Sequence, residues 1–280
     1  MIINKFAIFA VALLAVFSLK AQSSAPAQRI IALSPHAVEL LFAIGAGDRI
    51  VGAIDNSDYP EQAKSLNFVG NYQGIVIEKI IALKPDLIIT WHSGNKINQI
   101  EQLKSLGLKV VDSDPTSLLE IAQDIRLLGR LTGLNVSAET IAHKFEQQLN
   151  TIVEQYQTKQ KISVFYQLWS KPLMTISNQS WLNLFIEGCG ATNVFATSTS
   201  AYPQVSIENV LLANPQVLLI PKDEQTRSHD LFNWQQWQHL NAVKNNHIYY
   251  PNGTLLHRPT PRVLTAMSEM CQQIDQAREN

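Results

Sequence analysis

Charge is scarce in this chain. Of its 280 residues 16% are charged, against about 25% in an average globular protein. The 22 basic and 23 acidic residues nearly cancel, and 23 Gln with 19 Asn supply much of the missing polarity. A net charge of −1 leaves no basic footprint, so nucleic acid is not an expected partner. Catalytic signatures are missing too. There is no G-x-S-x-G elbow, no P-loop, no G-x-G-x-x-G and no H-E-x-x-H. The seven His stand at 36, 92, 143, 229, 239, 247 and 257, and no two share the i, i+4 spacing that faces a metal from one helix turn. No catalytic residue, catalytic cofactor or metal site is therefore assigned, and the chain is not expected to be an enzyme. Cysteine is reduced to Cys189 and Cys271, too few and too far apart for a metal centre. An even pair suits a disulfide in an oxidising compartment, and two buried thiols are the alternative.

Long apolar runs are equally rare. Residues 6–19 form an uncharged run with one Ser, shorter than the roughly 20 residues of a membrane span. Lys5 precedes it, Ala21 offers a small residue for cleavage, and a loose polar stretch follows. This layout is a secretory signal peptide over 1–21. No Cys occurs before position 189, so no lipid anchor is expected at the cleavage point, and the mature chain is expected to be free outside the inner membrane. An apolar share of 46% excludes general disorder, and a chain of this length favours two domains over one core.

Strand and helix patterns alternate from residue 28 onward. Short β-branched runs at 29–33, 50–54, 86–90 and 108–111 read as strands. Helical spacing marks 36–44, 77–83 and 97–106. Ser34-Pro35 reads as an N-cap followed by Pro at the first helical position, and Gly45 stops that helix. Strands separated by helices predict mostly parallel sheets covered on both faces. Between 116 and 159 the pattern is helix alone: one helix over 117–132 ending near Gly133, then a second, capped by Ser137, that runs unbroken to about 157. A new strand follows at 162–168 and the alternation resumes. The expected organisation is two α/β lobes, 28–134 and 160–280, with the helix at 135–159 as a stiff strut between them.

The chain also repeats itself once. Ile-Glu-Lys-Ile-Ile-Ala-Leu-Lys-Pro-Asp-Leu-Ile-Ile at 77–89 returns as Ile-Glu-Asn-Val-Leu-Leu-Ala-Asn-Pro-Gln-Val-Leu-Leu at 207–219. Tyr72 lies six residues before Glu78, and Tyr202 six before Glu208. Each cassette is a short helix, a Pro turn and a buried strand. Two similar lobes, each with a Tyr and a Glu in the same local setting, suit a clamp with equivalent surfaces toward one ligand and one partner.

The string from Arg29 to Gly47 (RIIALSPHAVELLFAIGAG) resembles the opening of periplasmic binding proteins for cobalamin, ferric siderophores and haem, as do Ser57-Asp58-Tyr59-Pro60 and the segment from Glu78 to Ile88. Within that group Gln73-Gly74, Trp91-His92-Ser93-Gly94-Asn95, Pro203-Gln204-Val205-Ser206 and Arg258-Pro259-Thr260-Pro261-Arg262 resemble the cobalamin-binding members of ABC importers. Cys189 and Cys271 fall where those members have paired cysteines. The resemblance implies a monomeric periplasmic carrier that holds cobalamin or a related corrinoid between two lobes and hands it to a dimeric permease. A haem or ferric-siderophore carrier of the same fold is the alternative, and a hydrolase on this scaffold a more distant one. By position, Tyr59, Tyr72, Trp91, His92, Ser93, Gly94, Trp169, Tyr202 and Arg258 would line the ligand cleft, and Glu78 and Glu208 would dock on the permease. Tyr72 and Tyr202 stand where cobalamin binders have Trp, and Leu168 stands at an aromatic position with Trp169 beside it. A haem carrier would need an axial Tyr or His, for which Tyr59, His92 and His257 are the candidates.

Overall fold

The structure is a computed structural model that describes residues 25–71, 73–223 and 232–279. The proposed signal peptide at 1–21 and the candidate Tyr72 lie outside the described residues.

The N-terminal sheet is built from β1 (Ile30–Ala32), β2 (Ile50–Ala53), β5 (Leu87–Thr90) and β6 (Val110–Asp112), in the spatial order β2-β1-β5-β6 and all parallel. A hairpin of β3 (Gly70–Asn71) and β4 (Gly74–Ile75) leads into α2 (Ile77–Ala82). α1 (Pro35–Ile44), α3 (Ile97–Ser105) and α4 (Leu118–Thr132) complete this half. Ser34 caps α1 as expected, its hydroxyl accepting from the Ala37 amide at 3.2 Å, and Ser117 caps α4.

The second half repeats the plan. β7 (Ser163–Tyr166), β10 (Thr192–Asn193), β11 (Val217–Leu219) and β12 (Ile248–Tyr249) form a parallel sheet in the order β10-β7-β11-β12. Numbered along the chain, both sheets run second, first, third, fourth. The two sequence cassettes occupy equivalent places: α2 leads into β5, and α7 (Ile207–Ala213) leads into β11. A hairpin of β8 (Trp169–Ser170) and β9 (Leu173–Met174) follows β7, with α6 (Asn183–Gly188) before β10. α8 (Asn241–Lys244), α9 (Gly253–Leu256) and α10 (Val263–Gln276) end the chain. The molecule is thus two α/β lobes with parallel main sheets.

Between the sheets in chain order runs α5 (Asn135–Tyr156). It starts two residues before the expected cap. Gly133, in the left-handed region at φ 73°, ends α4, and Leu134 enters the next helix without any side-chain cap, so Ser137 lies inside α5 rather than at its start. It also stops at Tyr156, short of residue 159.

Alternation along the strands splits the core into three. Ile30, Ala32, Leu87 and Ile89 face a central core, while Ile31, Leu33 and Ile88 face an outer one with Ile80 and Leu103. In the second sheet Val164, Tyr166, Val217 and Leu219 face the same central core, and Phe165, Leu218 and Ile220 an outer one with Trp234. The central core is continuous from lobe to lobe through Ala138, Ala142, Phe145, Leu149 and Tyr156 of α5. It is also stapled. Cys189, just past α6, is bonded to Cys271 of α10. Gly190 makes that approach feasible: it sits at φ 68°, and a Cβ there would lie 2.1 Å from the Tyr156 carbonyl at the end of α5. Arg278 closes the junction by donating to the Cys189 and Gly190 carbonyls at 2.7 and 3.0 Å.

Candidate functional site

Open parallel sheets present ligands at the carboxyl ends of their strands. Trp91 stands there, directly after β5, and its setting is heavily determined. Its backbone N–H donates to Asn95 Oδ1 at 2.8 Å, and Asn95 Nδ2 donates to the Leu33 carbonyl at the end of β1. Its indole Nε1–H donates to Asp114 Oδ1 at 2.9 Å. Asp114 also accepts from the Ser93 amide and hydroxyl at 2.9 and 2.8 Å, so one carboxylate holds both the ring and its loop. Gly94 is required here: a Cβ would lie 2.1 Å from indole Cε3, because the loop backbone packs on the ring. His36 meets the indole edge-on, with centroids 5.6 Å apart and planes at 89°. The His36 Nε2–H donates to the Ser113 carbonyl at 2.9 Å. Burial lowers its pKa to about 4 against the opposing pull of that bond and of Asp114 and Glu39, so it is neutral at pH 7. His92 and Ser93 are exposed on the same loop.

A second acid lies below Asp114. Asp124 of α4 accepts from the Ser113 hydroxyl at 2.6 Å. Burial raises its pKa to about 6, with Asp112, Glu120 and Asp114 adding repulsion and the Ser113 bond opposing the rise. A carboxyl whose folded pKa exceeds its unfolded value stabilises the fold fully only below about pH 4. That contribution is lost as pH rises through about 6. Asp124→Asn, which still accepts from Ser113, is therefore expected to stabilise the protein by about 2 kcal/mol at pH 7.5 and by close to nothing at pH 4. Urea melts of both proteins at the two pH values check this; a difference independent of pH contradicts it.

The two lobes meet across a charged network. Glu39, buried in α1, accepts a fork from Arg262 (Nε to Oε2 2.9 Å, Nη2 to Oε1 2.6 Å) and a third bond from Arg258 Nη1 at 2.8 Å. The same Arg258 nitrogen donates to Asp58 Oδ1 at 2.6 Å. Burial works against the Arg258 charge, but the bonds to Glu39 and Asp58 outweigh it and raise its pKa. The Arg262 guanidinium carbon also lies over the Tyr59 ring, 3.5 Å from its centroid, and Tyr59 stays 46% exposed.

On the opposite lobe the β8–β9 hairpin is extended by the segment before α7. Trp169 pairs with Met174, and Met174 bridges to Gln204, so the three share one face. Trp169 and Tyr202 are 62% and 42% exposed. Trp169 gives its indole N–H to the Lys171 carbonyl in its own turn, and Leu168 beside it packs against the central core. Tyr166, fully buried at the end of β7, bonds His257 Nε2 through its hydroxyl at 2.8 Å. Burial and the nearby Tyr202 push that hydroxyl's pKa well above the ordinary tyrosine value. His257, next to Arg258, is pulled below the usual imidazole value by the protein packed around it, although part of the residue is exposed.

The residues expected from the sequence thus fall into a loop after β5 (Trp91, His92, Ser93, Gly94), a junction (Tyr59, Arg258), and the opposite hairpin (Trp169) with the segment before α7 (Tyr202). Several residues of this neighbourhood carried weaker signals. Glu39 is the one acid in a helix with no other charged residue, which calls for a buried cation. Asp114 follows the end of β6, the strand-end position itself. Tyr250, exposed after β12 with the Lys222 ammonium 3.4 Å above its ring, had none beyond being aromatic. Glu78 and Glu208 are both exposed in the first turns of α2 and α7. The Glu208 carboxylate is held below the ordinary range by its own backbone N–H and the Ser206 hydroxyl. Among the described residues no cluster of His, Cys, Asp and Glu could hold a metal ion.

Residues 30–253 match the periplasmic binding protein family. The chain belongs to that family. Among its relatives in the family is a vitamin B12-binding protein of Vibrio cholerae, 42% identical over 247 residues that cover 88% of each chain. Another, from Vibrio campbellii, is 38% identical over 265 residues, covering 94% of this chain and 95% of its own. The crystal structure of the periplasmic vitamin B12-binding protein BtuF of Vibrio cholerae matches the fold with a TM-score of 0.84 at 40% identity, over 92% of this chain and 100% of that one.

Proposed function

We propose that the protein is the periplasmic carrier of cobalamin or a related corrinoid, without enzymatic activity, and that it delivers this cargo to the permease dimer of an ABC importer. Residues 1–21 act as the cleaved signal peptide, the mature chain works as a monomer, and α5 is the strut between lobes 28–134 and 160–280. The observation that carries the reading is Trp91. Its indole is locked by Asp114, Gly94 and the edge of His36 at the mouth of a sheet, so it offers a flat apolar wall that loses no freedom on binding. A corrin is a wide ring with amide arms. It needs flat faces of this kind and a few polar groups to fix its orientation. Tyr59, Tyr72, Trp169 and Tyr202 supply further faces, and His92, Ser93, Gly94 and Arg258 polar contacts. The relatives named for vitamin B12 support the choice of ligand.

Trp91→Ala is expected to weaken cyanocobalamin binding by about 1–3 kcal/mol, roughly fivefold to 150-fold in Kd. Fluorescence titration of wild type and variant measures it. Equal affinities would remove Trp91 from the site and the main support for the reading.

A further inference from the structure

The ion network at the junction divides into a fixed part and an exchangeable part. Glu39 is 3% exposed and takes three bonds from two arginines. Removing it would strand two cations in partly buried positions, so it is the anchor. Asp58 differs. Its side chain is 52% exposed, it makes one bond to Arg258, and it belongs to the irregular loop after β2. Arg258 itself is 14% exposed, with its Nη2 directed at the Asn56 carbonyl at 3.4 Å. Two carboxylates and two guanidiniums balance, and Asp58 is the one charge that can leave toward water at low cost.

We infer that Asp58 is a displaceable internal counter-ion: it occupies the place at Arg258 that a phosphodiester on the cargo takes when bound. This rests on the corrinoid reading. Complete cobalamins carry an anionic phosphodiester in the nucleotide loop, and cobinamides lack it. Arg is the side chain suited to a planar, charge-assisted grip on phosphate. Exchange of one anion for another at Arg258 leaves the network neutral, while Glu39 and Arg262 keep the lobes joined throughout. Asp58 then acts as a positioning and specificity residue. It lowers affinity for every phosphate-bearing corrinoid by competing for Arg258, and it keeps Arg258 aligned and neutralised when no such ligand is there.

Asp58→Asn removes the competing charge and keeps an oxygen that can accept from Arg258. The variant and wild type are titrated with cyanocobalamin and with dicyanocobinamide at low and high salt. The expected result is cyanocobalamin binding about tenfold tighter in the variant at low salt, with less gain at high salt, and cobinamide binding within twofold of wild type. In an Arg258→Gln background the same change is expected to have no effect on cyanocobalamin. Equal factors for both ligands, or unchanged or weakened cyanocobalamin binding, would overturn the inference while leaving the carrier reading intact. Failure of wild type to bind either corrinoid would overturn both.

Discussion

Cells carrying Glu78→Ala and Glu208→Ala together are expected to lose corrinoid uptake, although the purified double variant binds its ligand as wild type does. The two acids stand at the same place in two copies of one unit. Each lies in the first turn of the helix that feeds the third strand of its sheet, and each is exposed. A permease dimer offers two equivalent surfaces, and paired charges on the carrier fix orientation and speed encounter. Each single variant is expected to retain part of the uptake, because one contact remains. Both acids are also favourable where they are for a local reason, the positive end of a short helix. That reason alone predicts a loss of a few tenths of a kcal/mol in stability and no loss of uptake. Radiolabelled uptake set beside ligand affinity separates the two accounts, and unimpaired uptake in the double variant removes the docking role.

Replacing Cys189 and Cys271 by Ser is expected to cost on the order of 4 kcal/mol in folding stability, because the bridge closes a loop of 82 residues in the unfolded chain. The loss falls on the central core. The bond ties α6 to α10, and both helices pack into the core that α5 carries from one lobe to the other. The variant still has the packing of Phe185, Ile186, Met267 and Met270 to hold those helices, so it is expected to fold and bind, with an earlier denaturation midpoint. Urea unfolding with and without reductant measures this. A difference below 1 kcal/mol between the oxidised wild type and the variant would show that the constraint is not felt.

Much of the fold could be read from local pattern. The Ser34 cap with Pro35, the β-branched runs and the Gly133 stop each depend on neighbours a few residues away, and each was found where the pattern put it. The repeated cassette carried more, because it pointed to two similar lobes, and the two sheets share one strand order. Ser137 does not cap α5, because the left-handed turn at Gly133 lets Leu134 lead straight into the helix. Two-residue strands such as β8 and β10 leave no periodicity to see. In the candidate site, Trp91 was legible from its place after a buried strand. The partners that hold it were not: Asp114 reaches it from the loop after β6 and His36 from the first turn of α1. Arg258 shows the same limit most sharply. Its carboxylates lie 200 and 219 residues away, and nothing local to Arg258 announces Glu39 or Asp58.

Calorimetric titration of the mature protein with cyanocobalamin and with haemin, in parallel, goes straight to the choice of cargo. A saturable one-to-one heat with cyanocobalamin and none with haemin is the expected result. Saturation by haemin alone, or by neither, would contradict the proposal that this crevice carries a corrinoid.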